Sequence, residues 1–582
     1  MKSEAKYRTV PGEARNPKSE TLRQAQGKQV YGERSRTISN FVRQLTDRIS
    51  NFFFYFLILF LPTQLGRHFW PDFSLVSGIR VDYLAPTIYL TDVLILILFV
   101  DWIVRVCHRE RSHVPSGTWR SVAIPRRLLL RLRLIAMTTY LKYLKFVVLV
   151  VFVIFLIFGI LLSKNQLAGL YGFLKLLEFV FLGFYTALNM KKLRFDIILF
   201  LFSVGIIFES FLSVAQYLNR GSIGGIFYFF GERTFNGQTP GIANASINGQ
   251  LILRPYGTFS HPNVLAGYLV IAMTIVISNL KTQNSKLHLK ISNVKKIIYI
   301  LSVVVGTIAL FLTMSRAATL LWLFILIFIA AIGLKKRYKN KFTIYYLLFT
   351  ILIISSIFLL SPLRFRFADI KLTDESIAIR QELIKSSFLM IKNNPFFGVG
   401  LNNFLVELPR YQKINNYFTD LQPAHNIYLL ILAQIGVAGL VFFLWFIVNT
   451  YQKLKTQSFD KLRSSTPRSL RLEEIDPFGS EPQGRRPERS PAPSGAGRSR
   501  TGQNSKLKAT SQNLKLQKKD SLIINPLSLM ISLSAILILG FFDHYFLTLQ
   551  QGQLLFSFVL GLCWAKPGAV WHLAKAPHRS LH

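Results

Sequence analysis

Uninterrupted apolar runs of about 20 residues recur along this chain and restrict it to one kind of fold. A run of that length, wound as an α-helix that rises 1.5 Å per residue, matches the roughly 30 Å hydrocarbon core of a bilayer. A helix on the surface of a soluble protein instead shows an apolar stripe opposite a polar face. Hydrophobic residues make up 51% of the 582 residues, and the sequence therefore predicts an all-α, polytopic integral membrane protein.

Twelve membrane spans are predicted, an even number that places both termini on the same side of the membrane. A long outer loop, 362–424, is predicted to carry short amphipathic helices. The spans are predicted at 51–67, 84–106, 144–163, 166–188, 195–217, 262–280, 296–314, 317–334, 342–361, 425–449, 523–540 and 549–566.

Basic residues decide the orientation. Lys and Arg total 69 against 28 Asp and Glu, for a formal charge of +41. An excess of this size suits a nucleic-acid partner, but the basic residues crowd beside the membrane spans, as the positive-inside rule describes. Every basic cluster falls between an even-numbered span and the next odd-numbered one, which predicts cytoplasmic termini and a lipid bilayer, not nucleic acid, as partner. The clusters lie at 107–143, 191–194, 281–296, 335–341 and 450–520.

The chain is predicted to contain one transmembrane core and several polar extensions. The N-terminal tail and the insertion have too few apolar groups to offset the entropy lost on folding, which predicts disorder in both. Cys107 and Cys563 provide neither a disulfide framework nor a metal site. In chain order the segments are a basic cytoplasmic tail (1–50), the core with its outer loop (51–455), a basic cytoplasmic insertion (456–520), two final spans (521–566) and a cytoplasmic tail (567–582).

Three arginines on the predicted outer side are candidates for an anion site. An arginine at membrane depth is costly unless it is paired or faces water or a ligand, and a guanidinium fork matches phosphate oxygens. Arg254 precedes span six, and Arg316 lies at the short turn between spans seven and eight. The alternative for Arg316 is an interfacial arginine whose charge reaches the headgroups.

Arg380 falls within an apolar stripe at helical spacing, and not on the opposite face, which favours a site over a solvated surface arginine. The alternative is a surface arginine on a lid helix. The stripe consists of Ile377, Ile384, Phe388 and Ile391.

His425 opens span ten after Pro423. The positive end of a helix disfavours an imidazolium there, so a neutral ring is expected, which is the form that a general base needs. The alternative is an interfacial polar residue.

His261 with Pro262 favours a helix start, with substrate contact as the alternative. Gly436 and Gly439 are predicted to permit close helix packing.

Five motifs along the core resemble the O-antigen ligase and polymerase superfamily of bacterial membrane glycosyltransferases. Their order, spacing and predicted side carry the resemblance, which extends from about residue 50 to 566. The motifs are RPYGTFSHPNVLAGYL (254–269), SRAATL (315–320), RQELIKSSFLMIKNNPFFGVGLNNF (380–404), AHNIYLLILAQIGVAGL (424–440) and DHYFLTLQQGQLLFSFVLGL (543–562).

The resemblance implies a transferase at the outer face of the bacterial cytoplasmic membrane. Such enzymes move a glycan from polyprenyl (undecaprenyl) diphosphate to a hydroxyl on a glycan, lipid or protein acceptor, without a metal or other cofactor, in surface polysaccharide and lipopolysaccharide synthesis. By this resemblance, Arg254 and Arg316 stabilise the leaving diphosphate and His425 deprotonates the acceptor. The residues predicted to contact substrate are Arg380, Asn426, His261 and Asn263.

Other functions remain open from the sequence. A polymerase shares the donor chemistry of a ligase and differs in its acceptor. A polysaccharide-lipid transporter or flippase also has about twelve spans, but it is expected to contain internal repeats and helices broken near the midplane, and the sequence indicates neither. A scaffold in a polysaccharide assembly would need no histidine.

Overall fold

A computed structural model of the chain describes residues 44–111, 145–247, 250–283, 293–335, 375–414, 420–465 and 525–565. This part is mostly helical with few strands, in agreement with the predicted fold class at that level. The predicted span at 342–361 lies outside the described residues, as do residues 1–43, 466–524 and 566–582. The predictions for those tails and for most of the insertion stay predictions, as does the total of twelve spans.

The helices are numbered here in chain order. They are α1 (44–59), α2 (Leu90–Arg111), α3 (Lys145–Leu162), α4 (Gln166–Asn189), α5 (Phe195–Asn219), α6 (Pro262–Gln283), α7 (Asn293–Leu312), α8 (Arg316–Lys335), α9 (Glu375–Asn393), α10 (Phe404–Glu407), α11 (Ile427–Ser465), α12 (Pro526–Leu539), α13 (Tyr545–Thr548) and α14 (Gln550–Trp564).

Three antiparallel two-stranded ribbons lie between helices. They consist of β1 (Gly66–His68) with β4 (Thr87–Tyr89), β2 (Leu75–Val76) with β3 (Ile79–Arg80), and β5 (Asn244–Ile247) with β6 (Gln250–Leu253).

The chain divides into two compact units, and the smaller one contains residues 44–54 and 97–111 of the described part. A polar network lies inside it. The Arg105 guanidinium is 2.9 Å from Asp101 and also contacts Asp47 and Ser50. The Ser50 hydroxyl donates to Asp101 at 2.7 Å. These bonds join residues of α1 to residues of α2 within the unit.

In the larger unit, α6 is the central helix. Its side chains from Leu265 to Met273 are almost fully buried, because α5, α7, α8, α12 and α14 all pack against it. A helix that is apolar on every face has no stable place except inside such a bundle or a membrane. The N-terminal end of α6, at Pro262, therefore begins a helix that is enclosed within the larger unit.

Five described helices are long and apolar enough to cross a membrane. Several carry large apolar side chains that face outward, such as Phe146, Ile154 and Val180, each about 60% exposed. Such a surface is unfavourable in water and suits lipid. The five segments are Lys145–Leu162, Gln166–Asn189, Phe195–Asn219, Asn293–Leu312 and Ile427–Gln457.

The first two predicted spans are displaced from the observed helices. The first helix covers 44–59 instead of 51–67, because the chain turns just before Pro62 and then enters β1. The second begins at Leu90 instead of residue 84, because the apolar residues 84–89 lead into and form β4, which pairs with β1.

The tenth predicted span is interrupted. Helix α11 breaks at Gly436, whose φ of +72° favours glycine. Three backbone hydrogen bonds join the broken region to residues 395–400: Val437 N–H to Pro395 O (2.9 Å), Val399 N–H to Ala433 O (2.8 Å) and Gly400 N–H to Gln434 O (3.0 Å). The sequence did not indicate this break, and the absence of a side chain at Gly436 lets residues 395–400 approach the backbone of α11.

We expect Gly436→Ala to destabilise the protein. The added Cβ would overlap the carbonyl of Phe396, and the left-handed backbone costs a non-glycine residue about 1–3 kcal/mol before any overlap. Thermal unfolding in detergent measures the loss. Gly237→Ala is the matched control, since a Cβ there meets nothing within 4 Å. Equal melting temperatures for the two variants would contradict the role given to the break.

Candidate active site

Arg254 stabilises the turn that precedes Arg316. Its Nε donates to the carbonyl of Thr313 at 2.7 Å, although the two residues are 59 positions apart. The turn needs this support because Met314 adopts a left-handed conformation, with φ +53°. Arg316 is the first residue of α8 and is partly buried. The structure therefore brings two of the predicted arginines to one place.

His261 caps the start of α6. Its ring Nδ1 accepts the backbone N–H of Asn263 at 3.1 Å, and Pro262 occupies the first helical position. Burial, and then the nearby charge of Arg254, lower the pKa of His261 to about 3, so the ring is neutral at pH 7. Since Nδ1 accepts a hydrogen bond, the single proton of the neutral ring lies on Nε2.

Asn263 connects the arginine turn to a carboxylate. Its Oδ1 accepts from Arg254 Nη2 at 2.6 Å, and its Nδ2 donates to Asp543 Oδ2 at 2.9 Å. Because a side-chain amide both accepts and donates hydrogen bonds, Asn263 can bond the Arg254 cation and the Asp543 anion at the same time. The sequence grouped Asn263 with substrate contacts; in the structure it positions its neighbours.

Asp543 is the partner of His425. Its Oδ1 lies 3.3 Å from His425 Nδ1, and the other ring nitrogen, Nε2, lies 3.1 Å from Gln422 Oε1. Burial alone would raise the pKa of Asp543, but the hydrogen bond and charge of His425 outweigh it and hold that pKa well below its usual value. The carboxylate is ionised at neutral pH and fixes the orientation of the imidazole.

Three contacts hold the start of α11 against the end of α12 and fix this pair. Ile427 N–H donates to Gly540 O at 2.8 Å, Tyr428 Oη donates to Leu537 O at 3.0 Å, and Asn426 Nδ2 donates to Phe541 O at 3.3 Å. We call these three contacts the α11–α12 latch. They place His425 and Asp543 side by side although 118 positions separate them.

Asn426 also caps α11. Its Oδ1 accepts from Tyr428 N–H at 2.9 Å and from Leu429 N–H at 3.0 Å. Both the oxygen and the nitrogen of the Asn426 amide thus hydrogen-bond the protein. Asn426 has a structural role that the prediction of a substrate contact did not include.

His544 completes a cluster with His425 and Asp543. Its Nε2 lies 3.9 Å from Asp543 Oδ1, and its ring centroid is 5.0 Å from that of His425. Burial lowers the pKa of His544 to about 3, because the attraction of Asp543 is offset by the positive charges of His425 and Arg380. The influence of Arg380 shows that the outer helix α9 brings its guanidinium within electrostatic reach of the cluster.

The stripe predicted around Arg380 is only partly right. Ile384 and Phe388 are 43% and 60% exposed, whereas Leu383 and Met390 are fully buried. Arg380 does share the buried face, since Leu383 follows it by three positions and Met390 by ten. The error arises because a helix near lipid can expose apolar side chains, so hydrophobicity does not identify its buried face.

A cavity of about 1690 Å³ opens beside the cluster. His261, His425, Asp543 and His544 are among its polar lining residues. Its apolar part extends along α4, α11 and α14, where Phe179, Phe184, Phe442, Phe446, Leu560 and Trp564 line it. Residues of α11 from Ile431 to Lys453 border it, a helical length of roughly 30 Å at 1.5 Å per residue. Among the described residues lining it, Arg254, Arg316 and Arg380 do not occur.

The sequence analysis missed Asp543 and His544 as site residues. They were quoted only as the start of a motif, because no local spacing links them to His425. One signal was present: an acidic residue and a histidine lie together between two apolar runs, at the same predicted membrane boundary as His425.

Residues 301–444, about a quarter of the chain, match the model of the family described as O-Antigen ligase. The match confirms the resemblance to the O-antigen ligase and polymerase superfamily and supports a ligase- or polymerase-like role in polysaccharide biosynthesis. A search of curated proteins finds no match.

We expect Asn263→Ala to weaken both folding and activity. The substitution removes one buried hydrogen bond from Arg254 and one from Asp543, and the loss of a buried partner typically costs about 1–3 kcal/mol. Thermal unfolding and turnover measure the two effects. Asn219→Ala is the control, because that exposed amide bonds only the nearby carbonyl of Ser222. A variant as stable and as active as the control would show that Asn263 does not connect the two groups.

Proposed function

We propose that this protein transfers a glycan from a polyprenyl diphosphate to an acceptor hydroxyl at the outer face of the bacterial cytoplasmic membrane. Ligation to a lipid-linked or other non-donor acceptor is placed ahead of polymerisation. The observation that carries the proposal is the His425–Asp543 pair at the polar end of a long apolar cavity. A proton acceptor and a lipid-sized channel meet there.

The cavity suits the donor lipid. It is larger than the roughly 300–1,000 Å³ of ordinary small-molecule sites, and apolar residues of three helices line part of it. A polyprenyl chain in this channel would leave its diphosphate and glycan at the end where the histidines lie.

His425 acts as the base in this proposal. Asp543 holds Nδ1 as the protonated nitrogen, so Nε2 is left to accept a proton once the acceptor hydroxyl displaces Gln422. The acceptor oxygen then bonds to the anomeric carbon while the bond from that carbon to the diphosphate oxygen breaks. The hydroxyl proton passes to Nε2, and polyprenyl diphosphate leaves with the bonding electron pair.

Arginines provide the positive charge that the leaving diphosphate needs. Arg254 hydrogen-bonds the turn that precedes Arg316, and it connects through Asn263 to Asp543. Fixed cations beside a developing negative charge are an effective form of catalysis, so the proposed reaction proceeds without a metal. Because these arginines lie behind the cavity wall in the structure, the donor diphosphate has to approach that wall, or the turn has to move toward it.

The broken helix α11 favours a second candidate, a transporter of the lipid-linked glycan. Broken helices are common at transporter binding sites, and Gln434 and Ile435, just before the break, line the cavity. The two candidates differ in whether a covalent bond of the donor is cleaved.

The test uses the full-length protein in lipid vesicles with a labelled polyprenyl diphosphate oligosaccharide and an envelope acceptor fraction. Release of polyprenyl diphosphate together with a higher-mass glycan is expected, and it should require acceptor. Glycan chains that lengthen without acceptor would identify a polymerase. Intact donor that only moves across the bilayer would replace the transferase proposal with the transporter.

A further inference from the structure

We propose that His425, Asp543 and His544 form a binding site for a divalent transition-metal ion of the Zn²⁺ type, and that the bound ion inhibits transfer by occupying the base. The inference rests on the proposed function for its inhibitory part only. The binding part stands on the geometry of the three side chains.

Two imidazoles and one carboxylate converge at this place. One ligand atom from each residue lies within 4.8 Å of the other two. Around a tetrahedral Zn²⁺ with ligands at about 2.0–2.1 Å, neighbouring ligand atoms lie roughly 3.4 Å apart. The pair His425 Nδ1 and Asp543 Oδ1, at 3.3 Å, already fits. His544 Nε2, at 3.9 Å from Asp543 Oδ1, has to approach by about half an ångström.

Each of the three ligands also has an outer partner, which is the usual architecture of a protein metal site. His425 Nε2 faces Gln422 Oε1 at 3.1 Å, and Asp543 Oδ2 accepts from Asn263 Nδ2 at 2.9 Å. His544 Nδ1 lies 2.6 Å from Thr548 Oγ1. These partners leave one atom of each ligand directed at the common centre.

The hydrogen atoms support the same arrangement. The Thr548 hydroxyl donates to the backbone carbonyl of His544 at 3.2 Å, so it accepts from Nδ1–H and leaves the lone pair of the neutral ring on Nε2. In the tautomer of His425 that donates from Nε2 to the Gln422 carbonyl, the ring directs its Nδ1 lone pair at the Asp543 carboxylate. A cation between these two groups removes the repulsion that this tautomer creates.

Metal binding and base catalysis therefore require opposite tautomers of His425. As a base, the ring carries its proton on Nδ1 against Asp543; as a ligand, it carries the proton on Nε2 against Gln422. The cavity beside the cluster gives an ion a route in and leaves room for water as a further ligand. An ion at this site consequently excludes the base-competent ring.

The binding test needs no substrate. Full-length protein in lipid nanodiscs, stripped with EDTA, is titrated with Zn²⁺ by calorimetry and with Co²⁺ by visible absorption, which reports tetrahedral coordination. The chain has ten histidines, so the site is identified by the binding that variants lose. His544→Gln should lose one equivalent, and Thr548→Val, which keeps all three ligands, should weaken binding by roughly 10–100-fold.

His68→Gln is the matched control, since that histidine lines the same cavity and bonds Thr87 but lies outside the cluster. It should bind like the parent. If His544→Gln and Thr548→Val, both folded by thermal unfolding, also bind like the parent, the proposed site does not exist.

Inhibition is measured separately, as a fraction of each protein's own metal-free rate. Zn²⁺ should lower transfer by the parent on the order of 10²-fold, the effect of removing a base, at the concentration that saturates the site. A midpoint shifted upward in Thr548→Val supports the proposal. Transfer that rises with Zn²⁺ would overturn the inhibitory role. If the EDTA-stripped parent protein shows no transfer under any condition, the proposed function is rejected, but the binding result still holds.

Discussion

His425→Ala is expected to lower the rate of glycan transfer by roughly 10²–10⁴-fold, the usual contribution of a positioned general base. The ring is the only group of the pair with a nitrogen that can take the acceptor proton, and Asp543 holds it in place from Nδ1. Single-turnover formation of product, with donor and acceptor saturating and EDTA present, measures the chemical step.

Asp543→Asn should reduce the same step by about 10²-fold or more while preserving side-chain size. An asparagine amide can present a donor to Nδ1, which selects the tautomer without a base at Nε2. His68→Ala controls for loss of a cavity histidine. Parent-like turnover in His425→Ala would remove His425 from the chemistry, and melting temperatures distinguish a catalytic loss from misfolding.

Arg316→Ala and Arg254→Ala are expected to reduce transfer by about 10²–10³-fold each, the typical cost of removing one group that stabilises transition-state charge. Arg254→Lys should recover little, because an ammonium cannot reproduce the directional bonds to Thr313 and Asn263. The loss should fall mainly on kcat, and binding of polyprenyl diphosphate should weaken as well.

Arg67→Ala is the control for this experiment. It removes an exposed arginine of β1 whose guanidinium lies 5.8 Å above the ring of Phe69. Arg254 and Arg316 variants that keep normal kcat and lose only thermal stability would assign these arginines to the turn alone.

Local patterns in the sequence predicted the elements that depend on neighbouring residues. The start of α6 follows from Pro262 with His261, because caps and fixed backbone angles act within a few positions. Apolar length likewise predicted the membrane helices.

What the sequence did not reveal depends on distant parts of the chain. Asp543 acquires its role only when α12 packs beside α11, and the break at Gly436 exists because residues 395–400 hydrogen-bond into it. The paired strands in segments 66–89 and 244–253 are short and were not predicted, and β4 was assigned to the second span. On α9, Ile384 and Phe388 are exposed, contrary to the usual rule that large apolar side chains mark the buried face of a helix.

The α11–α12 latch has a consequence for how this gene can be cut and rearranged. The base lies before residues 466–524 and its carboxylate after them, and the three latch contacts all lie outside that segment. Two polypeptides that end and begin within this segment would therefore keep the latch contacts on the residues that flank it. Substitutions at Gly540 or Tyr428 would instead act on the latch itself.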